Sequence, residues 1–248
     1  AAVPLALIVA LLQGLGWQIA LMALGFLLPG AVMGELYTRG RPARHAVIGG
    51  AAVIIGEMTI LLMALYAMGV QVNTEIRRYF LNGYGTLPEA MKLAIPPEML
   101  DLTATTAIQL IPFFMIVTGL FYAMVTHLLG ARLLGASGIQ VPRLRPIREW
   151  MLPRALVWYY LIVILLDLFV NKNSMTIWTA LLVNALPLLT LLFGVQAVSF
   201  ASYYVHVKQR LRAFPFITAI LFPVLPQLVS LLGVFDVAFP LRSAMNKR

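Results

Sequence analysis

Glu57 is the residue best placed to do chemistry in an otherwise apolar part of the sequence. It lies in the middle of the apolar run 46–68, which follows the basic residues Arg39, Arg41 and Arg44. A helix of this length spans a bilayer, so its central residue would lie close to the midplane. An ionised carboxylate is costly there, and such acids usually face an interior, a cavity or a partner.

Glu57 has no obvious cationic partner in this sequence, because no Lys or Arg falls in the middle of a predicted span. Three states are open to it. The acid is protonated, as desolvation favours, and hydrogen-bonds a neutral group such as Asn184 or Gln196. A span outside this sequence supplies the partner. Alternatively, a ligand or ion does, and Glu57 then lies near or lines the binding site. Four further residues are secondary candidates for that site: Tyr84, Asp167, Asn184 and Gln196.

Three of the secondary candidates also have a structural explanation. Asp167 lies towards the outer end of a predicted span and is followed closely by Lys172, so it can snorkel to the interface beside that residue. Asn184 and Gln196 lie in the apolar run 175–207, where hydrogen bonds between helices account for such amides without a ligand.

No known catalytic motif accompanies these residues. The sequence contains no H-E-x-x-H, G-x-S-x-G or Walker A pattern, and no G-x-G-x-x-G in a strand–helix context. It has 3 histidines and no cysteine, with no dense pair of carboxylates. We therefore expect no metal, no cofactor and no enzymatic activity.

The composition places these residues in a membrane protein. Of the 248 residues, 61% are hydrophobic and 11% are charged, and the mean hydropathy is +0.91. The fold class we predict is all-α, a polytopic bundle of about six to seven transmembrane helices in a single domain over residues 1–248. The net charge of +9 arises mostly in three short loops between apolar runs. This is the positive-inside pattern, and it argues against a nucleic-acid partner.

Two longer loops carry the remaining candidates. The nearly neutral outer insert 71–101 contains Tyr84 between two predicted short helices, 75–81 and 88–94. It either lies on the membrane surface or forms a lid over an outward-facing pocket. The basic inner loop 136–154 carries Arg143, Arg145 and Arg148 among apolar residues. It predicts a short interfacial helix on an anionic leaflet, or a docking surface for a cytoplasmic partner.

Three apolar runs have unusual lengths or breaks. The run 103–134 exceeds one bilayer crossing and should tilt or project, and Pro187 should kink the long run 175–207. The final run, 214–234, contains Pro223 and Pro226. By alternation it exits on the outer side, yet Arg242 follows it, and a broken or re-entrant last segment is the alternative.

Two segments resemble the YybS-like family of bacterial membrane proteins, which carries a domain of unknown function. They are LPGAVMGELY at 28–37, followed by Arg39 and Arg41, and LGVFDVAF at 232–239 with Arg242. The resemblance implies an all-helical bundle in a bacterial cytoplasmic membrane with an outward-facing pocket. It also implies that the family's first spans precede Ala1, which opens directly on an apolar run without an initiator Met.

That family is distantly similar to the S components of energy-coupling factor transporters. S components bind small molecules and work with a transmembrane coupling subunit and two cytoplasmic ATPases. The resemblance therefore implies a small-molecule-binding or transport-associated protein, with the lipid bilayer and that assembly as partners. No ligand-binding constellation carries over residue by residue, so the substrate is unassigned. The alternative is a membrane scaffold or regulatory subunit that docks a cytoplasmic or membrane partner.

Overall fold

A computed structural model describes residues 16–170, 176–209, 211–239 and 241–246. Over these ranges the chain is helical and contains no strand, which confirms the predicted fold class. The backbone contacts group the chain into two compact units, Ala1–Leu144 (unit 1) and Arg145–Arg248 (unit 2), and each is described by itself. The single transmembrane domain stays a prediction.

Three long helices form the body of unit 1. These are α1 (Gly16–Thr38), α2 (Ala43–Ala67) and α6 (Ile111–Ala136), and between α2 and α6 the chain forms α3 (Val72–Gly85), α4 (Glu89–Ala94) and α5 (Pro97–Gln109). Small residues let α2 pack closely against both long neighbours. A Cβ atom at Gly119 of α6 would lie 3.1 Å from the Ala51 carbonyl, and Gly50 faces both Met33 of α1 and Ala123 of α6.

The packed face of α2 differs from the one that the sequence suggested. Its buried residues are Ala43, Ala46, Val47, Gly50 and Ala51. The sequence predicts that a mostly small stripe makes the contact, formed by Gly49, Ala52, Gly56 and Met63. Gly49 does approach Leu36, but Ala52 is exposed and Met63 is 67% exposed. Because small residues lie on both sides of the stripe, the sequence allows either face of α2 to pack. The contact with α6 determines which face is buried.

The predicted long span 103–134 is two helices in the structure. α5 ends at Gln109, Leu110 leaves helical geometry, and α6 starts at Ile111. Pro112 explains the break, because proline lacks a backbone N–H and its ring clashes with the carbonyl four residues earlier in a continuous helix. The outer insert contains more helix than expected, and Arg77 of α3 forms an ion pair with Asp101 of α5.

The interfacial helix predicted in the loop 136–154 is wrong. The only helical residues after Ala136 in this loop are the 3₁₀ turn Ile147–Glu149. Pro142, Pro146 and Pro153 interrupt any longer helix.

Unit 2 is built around one helix, α8. Its helices are α7 (Ala155–Phe169), α8 (Ile177–Lys208), α9 (Phe214–Leu221), α10 (Pro226–Ala238) and α11 (Leu241–Asn246). α8 contains Pro187 and has 32 residues, a length of about 48 Å. Tyr160 of α7, Phe193 of α8 and Val237 of α10 form part of the buried apolar core.

Three helices of the described chain are long and apolar enough to cross a membrane: α2, α6 and α8. α7 and α10 are shorter apolar helices. These features fit a helical membrane bundle, while the total of six to seven spans stays a prediction.

The last apolar run is broken, as its prolines allowed. α9 ends at Leu221 and α10 starts at Pro226. α9 runs antiparallel to α8, since Phe214 contacts Tyr204 and Phe222 lies against Gly194. α10 runs parallel to α8 and returns along it. Its successive contacts are Ser230 near Thr190, Gly233 on Phe193 and Asp236 on Gln196. Residues 214–238 therefore form a helical hairpin on α8.

Candidate functional site

Glu57 lies on the packed face of α2. It comes seven residues after Gly50, or about two helical turns, and so points to the same side of the helix. Its Oε1 atom is buried and has no hydrogen-bond partner within the described chain. Such an atom is expensive to leave unpaired and is usually explained by a function or by a missing partner.

Among the described helices, the long neighbours α1 and α6 of α2 supply no positive charge at this depth. α2 and α6 are antiparallel, because Gly50 lies near Ala123 while Ile55 lies near Gly119. Continuing this register places Glu57 beside the first half of α6. Residues 111–126 contain no ionisable side chain except Tyr122, and α1 contains neither Lys nor Arg. The carboxyl group can therefore accept a cation or a hydrogen-bond donor without displacing a basic side chain of these helices.

Tyr84 lies in a helix, not in the turn predicted between the short helices of the insert. Its hydroxyl donates to the carbonyls of Lys92 at 3.2 Å and Ile95 at 3.3 Å, which ties α3 to α4 and to the residue that follows it. The turn signal of Asn82 and Gly83 failed because α3 continues to Gly85. A role for Tyr84 in ligand binding stays a prediction.

Asp167 and Asn184 lie away from Gln196 in unit 2. Asp167 is half-buried near the end of α7, and Lys172, its expected neighbour, lies outside the described residues. The Asn184 amide donates to the Ala180 carbonyl of its own helix at 2.7 Å. Gln196 follows Asn184 by twelve residues, or about 18 Å along α8. The three residues do not converge on one site in unit 2.

Gln196 belongs to a buried polar cluster that we call the Arg242 cluster: Gln196, Ser199, Asp236 and Arg242. Asp236 has no exposed surface. It accepts hydrogen bonds from Gln196 Nε2 at 2.6 Å, and from Arg242 Nη2 at 2.6 Å and Nε at 3.0 Å. Such charge-assisted bonds are the stronger class in proteins.

The Arg242 cluster also fixes the backbone that precedes α7. Arg242 Nη1 donates to the Arg148 carbonyl at 2.8 Å, and the Leu152 N–H donates to Gln196 Oε1 at 3.1 Å. Ser199 Oγ lies 2.7 Å from the Ile147 carbonyl. The polar groups of the cluster form hydrogen bonds with one another and with this backbone. The arrangement is therefore that of a structural contact between elements of unit 2. The role of Gln196 in ligand binding stays a prediction, but its amide is already engaged.

A second buried polar group joins α7, α8 and α10. The Tyr160 hydroxyl lies 3.2 Å from both Thr190 Oγ1 and Ser230 Oγ. Tyr160 is 4% exposed and Ser230 has no exposed surface. Interhelical hydrogen bonds of this kind hold membrane helices together.

The three predicted contact arginines lie in extended or turn backbone. Arg143 and Arg145 are exposed and Arg148 is half-buried. No acidic partner of these side chains occurs among the described residues. Their contact with lipid or a partner stays a prediction.

Sequence reasoning missed two buried pairs. A lone histidine near the inner end of a span is typical of an interface residue, but His127 is only 2% exposed, and its Nδ1 lies 2.7 Å from the Tyr37 hydroxyl. No local pattern identifies that pair, whose members lie 90 positions apart. The Asp236–Arg242 pair did leave a signal. An arginine after a proline-broken run contradicts a full crossing, and an acid precedes it by six positions.

The described residues offer no metal site, since no three His, Asp or Glu side chains among them cluster suitably. Their long apolar helices define the chain as an all-helical membrane protein. Residues 1–237 match the family described as predicted membrane protein (DUF2232), and the chain belongs to that family. This confirms the resemblance found in the sequence. The relation to S components stays a prediction.

One relative extends the match. The chain is 24% identical over 232 residues to the uncharacterized protein YybS of Bacillus subtilis (strain 168), covering 88% of this chain and 73% of the relative. No solved structure matches.

Proposed function

We propose that this protein binds a small, positively charged solute within a bacterial cytoplasmic membrane, in association with transport, and that Glu57 is a ligand-contacting residue. The observation that carries the proposal is the buried, unpartnered Oε1 of Glu57 on the packed face of α2. A cation or amine donor would satisfy that oxygen, and no Lys or Arg of α1 competes for it. The role is binding, not catalysis.

The competing explanation is a protonated Glu57 that serves only in packing. Asn184 and Gln196 were the neutral partners considered for it. Gln196 already donates to Asp236 within unit 2, and Asn184 donates to its own helix. Because both amides already form these hydrogen bonds, the structural explanation is weakened and the ligand-binding proposal is supported.

Thermal unfolding in detergent micelles tests the proposal with defined probes: Na⁺, K⁺, ammonium and a series of organic ammonium ions. A probe at a hundred times its dissociation constant should stabilise the wild type by about 2.7 kcal/mol. Glu57→Gln should lose this response. Glu35→Gln is the matched control, because Glu35 is an exposed glutamate paired with Arg39 at a helix end. Identical responses of the wild type and Glu57→Gln to every probe would overturn the proposal.

Chemical modification separates a ligand site from dry packing. Dicyclohexylcarbodiimide enters membranes and reacts with protonated carboxyl groups. We expect mass spectrometry to find the adduct at Glu57, with slower formation in the presence of the stabilising probe. A Glu57 sealed between helices should react slowly whether or not the probe is present.

The proposal extends to partners as the family resemblance suggested: a transmembrane coupling subunit with ATPases. Mild purification from the native membrane, followed by mass spectrometry, checks this point separately. Recovery of the protein without ATPase or coupling subunits would remove the S-component part of the proposal and leave solute binding intact.

A second candidate function is a membrane scaffold or regulatory subunit. The exposed guanidinium groups of Arg143 and Arg145 favour it, since no acidic partner is described for them. Charge reversal of Arg143, Arg145 and Arg148 should then abolish co-purification of a partner. Unchanged co-purification would count against the scaffold.

A further inference from the structure

We propose that residues 214–238 form a re-entrant hairpin, whose tip borders a water-filled vestibule open to the outer side of the membrane. The proposal concerns topology and solvent access in unit 2 and does not depend on Glu57. Three observations carry it: the depth of the tip, the position of the basic residues, and the unpaired backbone at the tip.

The depth of the tip follows from α8. This helix runs from Ile177 to Lys208, so its middle lies near Leu192. Phe222, at the end of α9, packs on Gly194. α10 passes Thr190 at Ser230 and has started only four residues before. The tip residues 222–225 are therefore level with the centre of α8.

Neither arm of the hairpin can cross the hydrocarbon core alone. α9 has 8 residues and α10 has 13, or about 12 Å and 20 Å, against a core of about 30 Å. Because α9 descends along α8 and α10 returns along it, both arms begin and end at the same end of α8.

That common end is the basic end of unit 2. Arg154 precedes α7, Lys208 ends α8, Arg212 precedes α9 and Arg242 follows α10. A full crossing by 214–238 would carry Arg242 to the opposite side. A re-entrant hairpin keeps all four residues on one side, which is the cytoplasmic side by the positive-inside rule.

Part of the backbone at and just after the tip has no described partner, although the N–H groups of Phe222, Val224 and Leu225 are bonded. Pro223 and Pro226 have no N–H group, and no described group pairs with the N–H groups of Gln227 and Leu228. The carbonyls of the tip residues 222–224 also lack described partners. Non-helical backbone at membrane depth is tolerated only where protein buries it or where it lines a water-filled cavity. Val224 is 71% exposed, so the described protein leaves this part of the tip unburied, while Phe222 packs on Gly194.

Water must then reach the tip from the outer side, because the inner side is closed. The hairpin arms and the Arg242 cluster fill unit 2 between the tip and the basic end, where Asp236 and Ser199 are fully buried. Among the described residues of unit 2, only those of α7 and α8 extend beyond the tip on the outer side. Asp167 of α7 lies seven residues from Tyr160 and so on the same helix face, towards that outer end. This places a polar group beside the vestibule.

The natural absence of cysteine allows a direct test, because single cysteines can be introduced without a mutated background. Ser243→Cys, after the hairpin, should react with a membrane-impermeant maleimide in inverted vesicles and not in intact cells. Reaction in intact cells would place this residue outside and overturn the re-entrant topology.

Val224→Cys tests the vestibule. It should react with a small charged methanethiosulfonate applied to intact cells. Leu161→Cys is the matched control at similar depth on α7, where the side chain is 49% exposed to the surroundings of the helix. We expect Val224→Cys to react at least about tenfold faster, since the reactive thiolate forms in water and not in hydrocarbon.

Reaction of Val224→Cys from the outside, at a rate well above that of Leu161→Cys, supports the vestibule. Equal rates, no reaction, or reaction only from the inside would overturn it. Size-exclusion profiles matching the wild type establish that each variant has folded.

Discussion

Replacing Asp236 with Asn tests whether the Arg242 cluster stabilises unit 2. The substitution keeps the size of the side chain and removes its negative charge. It leaves the Arg242 guanidinium, which is 15% exposed, without its counter-ion, and it turns an acceptor towards the Gln196 amide into a possible donor. Breaking a buried ion pair by removing one partner typically costs about 3–5 kcal/mol. We expect a loss in that range for Asp236→Asn.

Equilibrium unfolding in mixed micelles by increasing sodium dodecyl sulfate measures this loss. Tryptophan fluorescence is a suitable signal, because Trp150 precedes α7 and Trp150 O lies 2.8 Å from Ser199 Oγ within the cluster. The double variant Asp236→Asn with Arg242→Gln should recover part of the loss, because the charge left unpaired by the first change is gone.

Glu35→Gln is the control for the removal of a paired carboxylate. Glu35 and Arg39 form an ion pair with side chains that are 59% and 67% exposed. Exposed pairs contribute about 0–1 kcal/mol, so this variant should unfold close to the wild type. A loss for Asp236→Asn no larger than that of Glu35→Gln would refute the reasoning. So would a double variant that is less stable than the sum of the single changes.

Three further predictions concern packing and hydrogen bonding. Gly233→Ala should destabilise unit 2 by more than the usual 1 kcal/mol or so, because its Cβ would overlap the Phe193 carbonyl; the same micelle titration measures this, and near-wild-type unfolding would contradict it. Tyr37→Phe should cost about 1 kcal/mol through loss of the hydrogen bond to His127, measured as a lower midpoint of unfolding. Tyr84→Phe should speed limited proteolysis within 82–96 without changing the unfolding midpoint of the membrane helices, since its hydroxyl joins α3 to the Lys92 carbonyl.

The sequence predicted the features that depend on composition and local chemistry. Apolar runs around Glu57 and Pro187 became the long helices α2 and α8, because length and hydropathy suffice to identify a span. The prolines at 223 and 226 correctly allowed a break in the last run. These predictions required no knowledge of which helices pack together.

Features that depend on packing were not predictable. Gln196 was a candidate ligand residue because the sequence does not reveal its partner. That partner, Asp236, lies 40 positions away and on another helix. The packed face of α2 was predicted wrongly because small residues occur on more than one face of this helix. Composition therefore does not distinguish the faces. Tyr84 was placed in a turn because Asn and Gly favour turns locally, whereas its hydroxyl bonds hold a continued helix in place.

Asp236 and Glu57 have opposite environments. Asp236 has an arginine and an amide within 3.0 Å, and these partners join α8, α10 and the segment before α7. The ion pair with Arg242 and the hydrogen bond from Gln196 account for the charge of Asp236. Glu57 is half-buried on α2, and its buried Oε1 atom has no described partner. Because an unpaired buried oxygen lowers stability, the Oε1 atom of Glu57 supports the proposal that a solute pairs with this residue.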